Sequence, residues 1–113
     1  MVNEKKTILV RFADSLTVPE AAHIRSSLMD AFRDGDLVEV DCSGATDVDL
    51  SFVQLLLAAR RTAAKLGKTI ALSAPAAGAL LDTLARGGLL GSGTAAAAAA
   101  DHSFWMTGAV EQP

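Results

Sequence analysis

Residues 37–59, LVEVDCSGATDVDLSFVQLLLAA, constrain the fold more than any other stretch of this chain. Leu37, Val38 and Val40 alternate with Glu39, Asp41 and Cys42, which reads as a strand over 37–42. Ser43, Gly44, Ala45 and Thr46 read as a turn, and Val48 as the last inward-facing residue before a helix. From Leu50 to Leu66 the apolar spacing becomes helical: Phe52, Leu55, Leu56, Ala59 and Ala63 share a stripe that Val53, Leu57 and Ala64 widen. Arg60, Arg61 and Lys65 lie toward the C-terminal end, where the helix dipole favours cations, and Gly67 is a natural stop. A strand that runs almost directly into a helix puts a polar turn with Asp47, Asp49 and Ser51 at the helix N-terminus. Hydroxyls, free backbone N–H groups and the positive end of the dipole converge at such a place, so specific function is expected there.

The flanking segments extend the same alternation. Residues 7–12, TILVRF, read as a strand at a sheet edge, broken by Ala13, Asp14 and Ser15. Thr17-Val18-Pro19-Glu20 is a helix start, with Thr17 as N-cap, Glu20 closing a capping box and Pro19 tolerated in the first turn. Ala21, Ile24, Leu28, Ala31 and Phe32 then fall on one face, and Gly35 ends the helix. Residues 69–72, TIAL, form a short uncharged run expected in the interior of the sheet. Ser73-Ala74-Pro75 opens a further helix striped by Leu80, Leu81 and Leu84 and closed by Arg86-Gly87-Gly88. The order predicts an α/β fold: a mixed, mostly parallel sheet of about four strands with helices packed against it.

One domain is expected over residues 1–113, with a core at about 7–90 and a Gly/Ala-rich tail at 91–113. The tail holds Gly91-Ser92-Gly93 and six alanines at 95–100. Its apolar cluster, Phe104-Trp105-Met106, is expected to dock on the body as a short strand or anchor, with 110–113 frayed.

Composition removes several classes of function. A net charge of −3 and an aromatic content of 4% leave neither a basic footprint nor stacking platforms for nucleic acid. Cys42 is the single cysteine, so an intrachain disulfide and a CxxC metal pair are excluded, and it reads as a small buried hydrophobe. His23 and His102 have no ligand set at metal spacing and read as surface residues. Gly87-Gly88 and Gly91-Ser92-Gly93 lack the strand-to-helix context and lysine of a phosphate loop. No cofactor is expected. No nucleophile has an evident base and orienter, so the chain is not expected to be an enzyme. No apolar run reaches the length of a membrane span and none resembles a signal peptide, so a soluble cytoplasmic protein without direct membrane insertion is expected.

Taken in order, VEVDCSGATDVD, LSFVQLLLAARRTAAKLGK, TIAL and ARGGLL resemble a STAS domain, over residues of about 7–90. This is the family of bacterial anti-sigma-factor antagonists and of the cytoplasmic domains of sulfate transporters. The family signature resembles Asp-Ser-Ser-Gly or Asp-Thr-Ala-Gly at the start of the central helix, and in the antagonists a hydroxyl there, generally the first, is phosphorylated by a partner kinase. In this chain Asp49 matches the Asp, Leu50 takes the place of the first hydroxyl, Ser51 matches the second small position and Phe52 replaces the Gly. The Gln54-Leu55-Leu56 run and the Phe104-Trp105 ending are similar to divergent STAS proteins encoded with chemotaxis components.

The resemblance implies a non-enzymatic regulatory module of a bacterial signalling pathway. Its expected partner is an anti-sigma factor or serine kinase, or a chemotaxis kinase or regulator. The contact residues are then Asp47, Asp49, Leu50, Ser51 and Phe52, with Ser51 the phosphorylation candidate one position after the usual acceptor. Plainer roles are available to the same residues: Asp49 as N-cap, Ser51 as a first-turn hydroxyl, and Phe52 facing the core from the apolar stripe. The alternative function is a STAS subunit that stabilises the ATPase of a phospholipid-type ABC transporter. The six-alanine run and the Phe104-Trp105-Met106 cluster also offer a route to a homodimer.

Overall fold

The computed structural model describes residues 6–87 and 104–106. Two long strands form its frame. β1 (Thr7–Leu16) and β2 (Leu37–Val48) pair in parallel from Thr7 opposite Leu37 to Leu16 opposite Val48. Residues 13–15 and 43–46, expected to break these strands, instead stay in the ladder. The two polar segments lie opposite each other, Ala13 by Gly44 and Asp14 by Ala45, so each supplies the backbone partners the other needs. Register shifts between Arg11 and Ala13 and between Asp14 and Ser15 absorb the mismatch as bulges. Asp14 takes a left-handed backbone, φ 63°, which Asp tolerates better than most residues.

β3 (Thr69–Leu72) pairs in parallel with the first third of β2, Leu37 by Thr69 through Val40 by Leu72. The sheet order is β1-β2-β3, with three strands among the described residues, all parallel, rather than a mixed sheet of about four. Among the described residues β1 lies at an edge, as expected. β3 also lies at an edge among the described residues, not in the interior. Its apolar character answers to burial of one face: Ile70 and Leu72 belong to the core, and α2 (Leu50–Leu66) packs against the strand.

Thr17 leads into a single 3-10 turn, Val18–Glu20, and then α1 (Ala21–Asp34), which buries Ile24, Leu28, Ala31 and Phe32. The Glu20 carboxylate accepts the Thr17 N–H at 3.1 Å and its hydroxyl at 2.8 Å, the reach-back half of the expected capping box. At the other end, the Lys68 ammonium donates to the carbonyls of Phe32 and Gly35, satisfying acceptors that the helix leaves open. α2 turns Phe52, Val53, Leu56, Ala59 and Ala63 into the core and ends at Gly67 in the left-handed conformation, φ 69°.

α3 (Gly78–Arg86) starts later than Ser73-Ala74-Pro75 suggested. Ser73 instead prolongs the ladder, its N–H donating to the Val40 carbonyl at 2.9 Å. Leu80 and Leu84 are buried as expected. Buried Thr83 was not foreseen: its hydroxyl donates to the Val48 carbonyl at 2.7 Å and to that of Ala79 at 2.9 Å, tying α3 to the end of β2.

Phe104–Met106 docks as an anchor in helical conformation rather than as a strand. Trp105 is 1% exposed, its carbonyl accepts the Ala76 N–H at 2.7 Å, and the Arg60 guanidinium lies 4.6 Å from the Phe104 ring centroid. The glycine and alanine runs at 91–93 and 95–100, Gly88, His102 and residues 110–113 lie outside the described residues. No helix among the described residues is long and apolar enough to cross a membrane.

Candidate functional site

Parallel pairing of Leu16 with Val48 brings the C-terminal ends of β1 and β2 side by side, so two chain segments leave the sheet together. One is the turn that leads to α1; the other is Asp49 and the start of α2. Asp49 joins them. Its backbone N–H donates to the Leu16 carbonyl at 3.4 Å. Its carboxylate accepts the Ser51 N–H at 3.0 Å, the Ser51 hydroxyl, and the Val18 N–H at 3.2 Å. Asp49 is therefore the N-cap of α2 and also the tie between the two segments.

These contacts hold the Asp49 carboxyl below its ordinary pKa. The Ser51 hydroxyl contributes most, partial burial opposes it, and the backbone N–H groups of Ser51, Val18 and Phe52 add to the depression. A carboxylate stabilised in this way is a weak base, so the Asp49–Ser51 pair is suited to fixing geometry and poorly suited to activating the Ser51 oxygen. The neighbouring turn is built alike. Ser15 and Thr17 hydroxyls lie 3.2 Å apart, and the Glu20 carboxyl is also depressed, chiefly by the Thr17 hydroxyl.

The expected site residues divide by exposure. Leu50 is 46% exposed, Asp47 is exposed and Ser51 half-buried. Phe52, expected among the contact residues, is 1% exposed in the free chain and meets Phe12 edge to face, with ring centroids 6.1 Å apart. The reason is the helical period, which puts Phe52 on the same stripe as Leu56, Ala59 and Ala63. Sequence reasoning missed Val18, which is 65% exposed. Its signal was available, an apolar residue in a capping turn ahead of the amphipathic stripe of α1.

A cleft of about 340 Å³ lies between the middle of β2 and the loop that follows β3, lined in part by Cys42, Leu72, Pro75 and Leu80. Asp41 at its rim accepts the Ser43 N–H at 3.0 Å and the Ser43 hydroxyl at 2.7 Å, and pairs with Arg11 at 3.4 Å. Burial first, and the Asp41 charge second, push the Cys42 thiol up to about 11. Cys42 therefore stays protonated at neutral pH and serves as packing, in keeping with its contacts to the core.

A family model described as Mlab, STAS domain, matches residues 2–101 of the chain. No curated protein matches it.

Proposed function

The chain belongs to the STAS domain family, and from that premise we propose that it is a non-enzymatic regulatory module that docks on a protein partner through the ends of β1 and β2 and the first turn of α2. The family supports an interaction module of the anti-sigma-factor antagonist kind. A kinase or regulator of a sigma-factor or chemotaxis pathway is the partner we propose. The carrying observation is Leu50, 46% exposed and placed directly after the N-cap Asp49. An apolar side chain in solvent at the rim of an acidic turn gains little in the free protein and gains burial when a partner covers it.

Ser51 is the proposed modification site, and its hydrogen bonds give that proposal a definite consequence. A phosphate of charge about −2 on Ser51 would sit against the Asp49 carboxylate and break the hydroxyl contact that helps cap α2. Modification would thus loosen the tie from Asp49 to Val18 as well as add charge. The test is affinity capture with the wild type and Ser51→Asp side by side, each partner identified by mass spectrometry, with Leu50→Ser as the surface control. A partner held by the wild type and lost by both variants supports a phospho-switch at this surface. A partner indifferent to Leu50→Ser removes the docking site.

One observation favours the second reading, a scaffolding STAS subunit that stabilises the ATPase of a phospholipid-type ABC transporter. The signature position carries Leu50, and the adjacent Ser51 hydroxyl is already engaged by Asp49. A constitutive adaptor needs no acceptor. Its mark is a partner lost by Leu50→Ser and retained by Ser51→Asp.

A further inference from the structure

The docking surface has a chemistry that reaches beyond Leu50. Val18 and Leu50, 65% and 46% exposed, flank the single carboxylate of Asp49, which bonds the backbone of Val18 and caps the helix that Leu50 begins. The large hydrophobic residues near them in the chain, Phe12, Leu16, Val48 and Phe52, are buried, so Val18 and Leu50 are the large aliphatic side chains left facing out there.

The charges in the chain next to them, residues 13–20 and 43–51, have one sign. Residues 13–20 and 43–51 contain Asp14, Glu20, Asp47 and Asp49 and no Lys or Arg. Strand register sets Ser15 beside Asp47, so Asp14 and Asp47 are near neighbours at the same end of the sheet, and both are exposed. Neither has an ion-pair partner among the described residues. Of the cations outside those residues, Arg11 pairs with Asp41, Arg25 lies exposed in the second turn of α1, and Arg60, Arg61 and Lys65 belong to the far half of α2.

We infer that the element docking on this surface is a basic segment of a partner protein, with Lys or Arg side chains flanking one apolar anchor that enters between Val18 and Leu50. The inference rests on the docking reading above and adds the partner's chemistry to it. Charge complementarity carries it. A neutral apolar segment would leave Asp14 and Asp47 desolvated and unpaired, an acidic one would be repelled, and phosphate-rich surfaces such as nucleic acid or anionic lipid would be repelled as well. A basic segment satisfies both the apolar pair and its rim.

Site-specific photocrosslinking tests this. Val18, Leu50 and, as a control at the opposite end of α2, Leu66 are replaced one at a time by benzoylphenylalanine in the full chain, and the peptide captured in cells that make the protein is sequenced. The expected result is one partner peptide reached from positions 18 and 50 and not from 66, net positive, with a large apolar residue. A synthetic peptide of that sequence should bind the wild type, weaken about tenfold between about 50 and about 500 mM salt, and weaken several-fold with Asp14→Asn and Asp47→Asn combined. Asn keeps the left-handed backbone available at position 14, so loss of binding there reports charge. A captured peptide that is neutral or acidic, or one whose affinity ignores salt and both Asn substitutions, overturns the inference and leaves the docking reading standing. Capture of a second copy of this chain also overturns it, since the occupant would then be a like subunit. No capture from either 18 or 50 removes the docking reading itself.

Discussion

Asp49 joins two elements through one side chain. It caps α2 and, through the Val18 N–H, fixes the entrance to α1. Asp49→Ala should lower stability by about 1–2 kcal/mol, the range for loss of an N-cap, seen as a lower midpoint in urea unfolding. A loss within error would mean that the cap contributes nothing. The same residue predicts an acid dependence. Its folded pKa is depressed, so its contribution is complete above the unfolded value near 3.8 and disappears as the pH falls through the lower folded value. The melting temperatures of wild type and Asp49→Asn should therefore converge in strong acid and separate as pH rises above that range. Glu20 and Asp41, also depressed, keep a residual slope in the variant.

Among the elements, β1 and β2 depart most from what their residues suggest alone. SGAT and ADS are turn-like in isolation, yet both are strand because each lies beside the other. The helix-to-strand junction at Gly35 is equally determined by its neighbours. A Cβ there would meet Ile8 Cγ1 at 2.5 Å and the Lys6 carbonyl oxygen at 2.9 Å. That carbonyl is itself held, accepting the N–H groups of Asp36 and Leu37 at 2.8 and 3.2 Å. The Ile8 side chain can turn away, but the backbone oxygen cannot without losing those bonds. Gly35→Ala should cost about 1–3 kcal/mol, the range for overpacking, although its φ of −145° suits any residue. An unchanged denaturation midpoint would show that the junction has slack.

For the molecule as a whole, the anchor formed by Phe104–Met106 is the contact most distant in sequence from the core it completes. Trp105 is among the largest fully buried side chains, and Phe104 packs edge to face against it at 4.8 Å while lying under Arg60. Trp105→Ala should remove about 3–5 kcal/mol, a large share of the stability of a chain this size. It should also leave capture of the partner at Leu50 intact wherever the protein remains folded, since the anchor's hydrogen bond and cation contact are to Ala76 and Arg60 and not to the Asp49 turn. Equal stability of variant and wild type in chemical denaturation would refute the anchor role.

What the sequence determined by itself was local. Apolar spacing gave α1 and α2 with their buried faces, because a helix of fixed period must turn every third or fourth residue to one side. Capping chemistry gave Thr17, Glu20 and Asp49, because those side chains satisfy donors only a few residues away. The order of strands and helices gave an α/β fold with a mostly parallel sheet, because parallel neighbours need crossovers of that length. Tertiary structure decided whatever depends on a distant partner. It extended β1 and β2 through polar residues that pair only across the sheet, and among the described residues it set β3 at an edge although its composition suited an interior place. Thr83 was buried on a carbonyl 35 positions away. Val18 and Leu50 were left in solvent on either side of one carboxylate. Periodicity cannot foretell such a meeting, since it reports which face of an element is apolar and not which elements come together.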